Sequence, residues 1–202
     1  MKKQSYHIIF YLWAMVLMTS CAYNKEYFKS FYLTNENNFS ELRETYEDMY
    51  AANPFSIMFE DKKFKFISFE RLTDSVKYVY QFDLSANDFA DTLHKYHYKT
   101  DEMLRFVSEL KHIGCTWITR LDYYEKYKPR YLEFMAVRHK KLNKLLKGER
   151  YCTYTFFDRA HPYDDKNRFL DRTDRRGLLM VNNSRIFRIK DSVGYAIVKH
   201  YR

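Results

Sequence analysis

Three stretches between residues 54 and 83 put aromatic or aliphatic side chains at every second position: PFSIMFED, KKFKFISFER and SVKYVYQFD. A period of two belongs to strands, whose successive side chains point to opposite faces, and a helical period does not fit it. In the second stretch Phe64, Phe66 and Ser68 alternate with Lys65, Ile67 and Phe69; in the third, Val76, Tyr78 and Tyr80 alternate with Lys77, Val79 and Gln81. Asp61-Lys62 and Thr73-Asp74-Ser75 supply turn residues between them, which makes an antiparallel meander the economical expectation.

The strand pattern returns later in the chain. CTWITRL reads as one strand, and RYCTYTFFD as another through Tyr151, Thr153, Thr155 and Phe157. GLLMV, RIFRI and VGYAIVKHY, divided by Asn182-Asn183 and Lys190-Asp191-Ser192, predict a three-stranded hairpin series.

Helical spacing separates these runs. Phe39, Leu42, Tyr46 and Met49 form one stripe, with Asn38 or Ser40 as cap and Asn53-Pro54 as stop. Ser85 can cap a segment carrying Phe89, Ala90, Leu93 and Tyr96. Thr100 opens a further helix with Asp101 and Glu102 in its first turn and Met103, Phe106, Val107, Leu110 and Ile113 on one face. Gly114 stands where a left-handed C-terminal residue belongs. Residues 130–147 fit two readings: Pro129 suits a helix start and Tyr131, Met135, Leu142 and Leu145 a helical face, while YLEFMAV equally suits a buried strand. Strands in runs with helices grouped between them predict an α+β fold, an antiparallel sheet with two to three helices packed on one face.

The amino terminus has a different character. Lys2 and Lys3 precede Ile8 to Met18, eleven residues without a charge. A membrane-spanning helix needs about 20 apolar residues, so this run describes an export signal rather than a retained span. The tetrapeptide Met18-Thr19-Ser20-Cys21 resembles the lipobox of bacterial lipoproteins, with Met18 where Leu is usual. The resemblance is confined to residues 1–21. It implies cleavage before Cys21 and acylation of that cysteine, which anchors the chain to a membrane; several acyl chains make such an anchor firm, at about 0.8 kcal/mol per buried methylene. Ser20 and Ala22 also satisfy the small-x-small rule for ordinary secretory cleavage after Ala22, and an uncleaved anchor is the third reading.

These readings divide the chain into a lipoprotein signal peptide over 1–20, a tether or spacer over 21–37 without a clean period, and one α+β domain over 38–202. Ala22-Tyr23-Asn24 lacks the acidic run that some bacteria use for surface export, which points to the bacterial cell envelope, on the periplasmic side of the outer membrane.

Composition limits the function. The net charge of +9 becomes +7 without Lys2 and Lys3, a balance that favours anionic lipid or acidic glycan partners. Export argues against nucleic acid. The chain has 20 Tyr and 17 Phe against 2 Trp, and their alternating placement assigns most of them to strand packing rather than to a sugar-binding surface.

Chemistry-bearing clusters are few. Asp158, His161 and Asp164 offer a base, an imidazole and a carboxylate on one loop, the candidate set for an envelope hydrolase. No glycine-rich phosphate loop, nucleophile elbow, HExxH or calcium-loop spacing accompanies them, and no cofactor is indicated. His94 and His97, three apart on an expected helix, are the candidate metal ligands. Cys115 and Cys152 either pair as a disulfide or stand as two buried thiols, since pairing requires neighbouring strand starts. RHKKLNKLLKGER, if helical, presents Lys140, Lys141, Lys144 and Lys147 around an apolar stripe and suits an anionic surface. The reading favoured is a lipid-anchored envelope protein acting by contact, as a binding or accessory module, with a hydrolase and a structural envelope component as the alternatives.

Overall fold

The computed structural model describes residues 25–73, 76–123, 132–142, 149–171, 177–181 and 184–198. The chain divides into two compact units, residues 1–36 and 37–202. In the first, residues 25–34 are helical, where the sequence showed no clean period. Phe28 and Tyr32, four apart, are buried, and Asn35 closes the turn by donating its backbone and side-chain N–H to the Phe31 carbonyl.

The second unit is α+β. Helix α1 (Glu36–Ala52) buries Phe39, Leu42 and Tyr46. It starts before Asn38 and Ser40, so neither caps it, and it ends where Asn53 bonds back to the Met49 carbonyl ahead of Pro54. Strands β1 (Phe55–Phe59), β2 (Phe66–Leu72) and β3 (Lys77–Asp83) follow as the expected meander. Asp61 makes the first turn by accepting the N–H groups of Lys63, Lys65 and Phe66, and Phe64 takes a positive φ of 56° within it.

Helices α2 (Asp88–Lys95) and α3 (Thr100–His112) lead to the long strands β4 (Cys115–Tyr123), β5 (Leu132–Leu142) and β6 (Glu149–Phe157). α3 buries Met103, Phe106, Val107 and Leu110, and Gly114 beyond it has φ 69°. α2 starts at Asp88 rather than under a Ser85 cap, because Ser85 is engaged by the Asp83 carboxylate. Residues 132–142 are strand, not helix, while 130–131 and 143–147 of that segment lie outside the described residues.

The main sheet has eight antiparallel strands in the order β3-β2-β1-β4-β5-β6-β10-β9, where β9 is Phe187–Lys190 and β10 is Val193–Val198. β7 (Met180–Val181) and β8 (Ser184–Arg185) form a separate ribbon, so the expected three-stranded C-terminal series divides between two sheets. The main sheet contains a structural repetition: helix followed by a three-stranded meander, twice, the halves joined where Ile57 faces Ile118 and Met58 faces Trp117.

Helices α1, α2 and α3 all lie on one face of the sheet. Tyr46 of α1 and Phe106 of α3 pack on Phe55 with ring centroids 5.1 and 6.2 Å apart, Phe89 of α2 packs on Phe69 at 5.8 Å, and Phe39 reaches Tyr154 on β6 at 5.0 Å. Each such ring contributes about 1.5–3 kcal/mol by leaving water. Tyr46 also donates to the Phe55 carbonyl at 2.7 Å, so its burial leaves the hydroxyl satisfied.

The opposite face of the second half is covered by the chain after β6. Phe169, Leu179 and Ile186 pack with Ala136, Phe157 and Ala196, and Trp117 closes the cluster. This cover sits so close that a Cβ on Gly194 would lie 2.5 Å from Ile186 Cγ2 and 2.7 Å from Phe169 Cε2. Glycine is required there for close approach. Beside the cluster, Arg138 is buried with its guanidinium 4.8 Å from the Trp117 ring and 5.9 Å from that of Tyr151.

Candidate functional site

The expected chemistry disperses in three dimensions. His94 lies on α2, but the helix ends at Lys95 and His97 takes a φ of 61° beyond it, so the two do not share a helix face. Both are exposed. Among the described residues no group of three or more His, Cys, Asp or Glu is arranged to hold a metal ion.

The loop acids separate as well. Asp158 accepts from Arg120 at 2.8 Å and lies 3.7 Å from Arg43, while Arg43 donates to Glu47 at 2.8 Å; Glu47 closes the square 3.9 Å from Arg120. This network ties α1 to the ends of β4 and β6. Asp164 instead accepts from Arg168 at 2.6 Å and from the N–H groups of Lys166 and Arg168, and the Arg168 bond holds its carboxyl below the usual range. The His161 ring packs on Phe157 at 4.5 Å and on Phe169 at 6.3 Å. The carboxylates are thus committed to arginines and turn amides, and the geometry builds no base-imidazole pair from Asp158, His161 and Asp164.

Cys115 and Cys152 sit on β4 and β6, each paired in register with the same residue of β5, His139. Two strand spacings separate them, about 10 Å, beyond the roughly 7 Å that a disulfide spans. Both are buried free thiols, which excludes the pairing left open by the sequence. Burial pushes both thiols up and pulls His139 down to about 4, so the row is neutral at pH 7.

Of the basic segment, Lys140 and Lys141 belong to β5 rather than to an amphipathic helix, and Lys144 and Lys147 lie outside the described residues, as does Cys21. Arg138 and His139, at the start of that run, are buried.

Two surface features remain. The first is a groove of about 510 Å³ between α1 and α3, where Glu44, Asp48 and Glu102 face His97, Lys99 and Arg105. Lys99 is paired with Glu102 at 3.1 Å. Tyr98 forms part of its wall, and burial raises that phenol to about 12.

The second feature is the β3 edge. Among the described residues β3 pairs with β2 alone, in an unbroken register from Lys77↔Leu72 to Asp83↔Phe66. Val76, Tyr78 and Val79, with Phe66 beside them, are between 44% and 54% exposed and make up half of the large apolar side chains found at the surface among the described residues. On the helix-covered face the edge is aromatic: Tyr80 donates to the Tyr96 hydroxyl at 2.9 Å and stacks on Phe82 at 6.2 Å, and Arg71 lies 4.7 Å from the Tyr96 ring and 5.8 Å from that of Tyr78. The Tyr80–Tyr96 bond holds the Tyr80 proton and raises its phenol while lowering that of Tyr96.

The backbone of this edge is polarised. Leu84 N–H bonds to the Lys65 carbonyl and Thr73 N–H to the Val76 carbonyl. By alternation the even residues of β3 face β2, and the odd residues Lys77, Val79 and Gln81 point their N–H and C=O groups outward, while the Asp83 carbonyl accepts the Ala86 N–H of the following turn. The sequence predicted this strand but carried no sign that it lies at an edge. Ridges of exposed apolar side chains beside outward backbone groups can bind an extended segment by strand addition.

Among the described residues no helix is long and apolar enough to cross a membrane. Comparisons with protein-family models, with curated proteins and with solved structures give no match to this chain.

Proposed function

We propose that this protein is a lipid-anchored component of the bacterial cell envelope that acts by contact, as a binding or accessory module on the periplasmic side of the outer membrane, with the β3 edge as its contact surface. The observation that carries the reading is the concentration of exposed apolar side chains on and beside a seven-residue strand whose outer edge pairs with nothing among the described residues. Isolated apolar side chains on a surface need no explanation, whereas several gathered along one edge strand, on both of its faces, beside outward backbone groups suit an interaction site. The commitment of Asp158 and Asp164 to arginine partners, with the His161 ring packed on Phe157, weighs against the hydrolase alternative. The resemblance of residues 18–21 to a lipobox supports the anchor.

The contact reading is tested by placing a photo-reactive phenylalanine analogue at Val79 in the full chain and irradiating intact cells, with the same analogue at the exposed Leu104 of α3 as reference. Adducts from Val79 and none from Leu104 are expected. Equal yields at both positions, or none at Val79, overturn it. The anchor is tested separately by labelling with radioactive palmitate: the wild-type chain takes up label and Cys21→Ser does not, and equal signal in both removes the lipoprotein reading.

A further inference from the structure

We infer that the occupant of the β3 edge is a second copy of the same strand, paired antiparallel about a two-fold axis through Tyr80. The inference rests on the contact reading above and names its partner.

The strand is complementary to itself. A two-fold axis pairs residue 77 with 83, 78 with 82, 79 with 81 and 80 with its own twin when it is centred on Tyr80. Lys77 then stands opposite Asp83 of the second copy, Tyr78 opposite Phe82, Val79 opposite Gln81, and Tyr80 opposite Tyr80. Every aromatic of the strand meets an aromatic, and the charges at its two ends meet their opposites. Cross-strand aromatic and opposite-charge pairs are the combinations that stabilise antiparallel neighbours. Moving the axis by one residue destroys the match. Centred on Val79 it places Lys77 opposite Gln81 and leaves Asp83 outside the ladder; centred on Gln81 it places Val79 opposite Asp83 and leaves Lys77 outside.

The backbone agrees with this register. Lys77, Val79 and Gln81 carry the outward groups, the Asp83 carbonyl being taken by the Ala86 N–H, and the axis at Tyr80 pairs odd with odd, so Val79 and Gln81 exchange both of their hydrogen bonds across the interface. Tyr80 and its twin occupy a non-hydrogen-bonded position, where Cα atoms lie about 4.5 Å apart. Lys77 is anchored for this role by its ion pair with Glu70 at 2.7 Å, and Asp83 by accepting the Ser85 N–H at 2.9 Å and hydroxyl at 2.7 Å. Neither end of the strand carries the proline or bulge that blunts an edge against such pairing. The product is a single sheet continuous through two copies, with an isologous interface.

The test uses the full-length chain in cells. Its own Cys115 and Cys152 are buried and do not compete, and the chain without an added cysteine sets the background from Cys21. A Tyr80→Cys variant is expected to form a disulfide-linked dimer under mild oxidation, because the register brings each cysteine within bridging distance of its twin. Val79→Cys and Gln81→Cys, whose twins lie on the diagonal, are expected to give at least fivefold less. Dimer from Val79→Cys or Gln81→Cys in place of Tyr80→Cys overturns the register, and absence of dimer from all three overturns self-pairing. Val79→Pro keeps the bonds to β2 and removes an outward donor, so it is expected to leave the circular dichroism spectrum unchanged and to convert the detergent-solubilised protein from dimer to monomer in sedimentation. A dimer that survives Val79→Pro also overturns the inference. Adducts of the Val79 photo-probe separate the two readings: twice the chain mass supports both, adducts only to a different protein support contact and sink self-pairing, and no adducts sink both.

Discussion

The two edges of the main sheet solve the same physical problem in opposite ways. An edge strand exposes a row of unpaired N–H and C=O groups that invite another strand. At β9 the strand is only four residues long, its register with β10 shifts between Val193 and Gly194, and the chain after β6 lies along it: Arg168 bridges Phe187 and Arg188 donates to the Asn167 carbonyl at 2.8 Å. Arg188 is also stacked on Tyr163 at 4.0 Å. At β3 the strand has seven residues, its register is unbroken, and apolar side chains stand at the surface beside it. One edge is shortened, bulged and covered; the other is long, regular and, among the described residues, uncovered. Among those residues the means of closing an edge are applied at one end only, which supports reading the other as a contact surface.

The largest effect is expected where the cover touches the sheet. Gly194→Ala introduces a methyl into contacts of 2.5 and 2.7 Å with Ile186 and Phe169, and such overpacking costs about 3 kcal/mol. Urea unfolding should show that loss. If the cover at β9 were loosely held, the cost would fall below about 1 kcal/mol, and the contrast between the edges would lose its basis.

Acid provides the next probe, because it acts on the strands that join the edges. His139 is held down to about 4 by burial, against an ordinary value of 6.5. A depressed folded value means that the unfolded chain binds the proton first, so the contribution is fully present above about pH 6.5 and is lost as pH falls through 4. The loss amounts to roughly 3 kcal/mol at about 1.4 kcal/mol per unit. His139→Phe should flatten the dependence of the urea midpoint between pH 6.5 and 4. Asp83, kept below the ordinary carboxylate range by its bonds from Ser85, stays ionised over that window, so β3 pairing should persist while the fold weakens.

Matched proline substitutions compare the edges directly. Arg188→Pro removes an N–H that bonds to Asn167 together with the stacking on Tyr163, and should cost about 2 kcal/mol. Val79→Pro removes an outward N–H and should cost the isolated fold less than about 1 kcal/mol. Equal costs measured by urea unfolding of the monomers would mean that the β3 edge has a partner within its own chain.

Local chemistry made some of this legible in advance. α3 was readable because its determinants are near neighbours: acidic residues in the first turn, a stripe at Met103, Phe106, Val107 and Leu110, and Gly114 at a left-handed stop. The meander was readable from its period of two. β5 was not, since Arg138 and His139 break the apolar run, and the rings that receive the Arg138 guanidinium, Trp117 and Tyr151, lie on the neighbouring strands. The hinge of the strand order, β1 beside β4, depends on residues some sixty positions apart and leaves no mark on either strand. That is also why the open edge escaped notice: KYVYQF reads like any interior strand, and only the order of the sheet reveals that nothing in the described chain follows it. The candidate sites failed for related reasons. The spacing of His94 and His97 assumed a helix that stops at Lys95, and Asp158 and Asp164 were drawn to arginines, those of Asp158 distant in sequence.

The smallest expected effect discriminates most finely, because it concerns charges alone. Lys77→Asp sets a new carboxylate against Asp83 of the second copy, twice by symmetry, and within its own chain replaces the Lys77–Glu70 ion pair by two like charges; it should weaken self-pairing about fivefold at low salt, since exposed pairs contribute up to about 1 kcal/mol. Asp83→Lys makes the reverse mismatch but also removes the carboxylate that receives the Ser85 N–H and hydroxyl, so on its own it confounds the turn with the interface. Mixing the two variants resolves this. In the mixed pair both ends regain an acid opposite a base, while the Asp83→Lys chain still lacks its turn contacts; binding stronger than for either variant with itself can then come only from charges meeting across the axis. The advantage should fade at high salt, where screening shortens to a few ångströms. A mixture no tighter than the separate variants would show that Lys77 and Asp83 do not face each other, and with that the reason for centring the axis on Tyr80 would be gone.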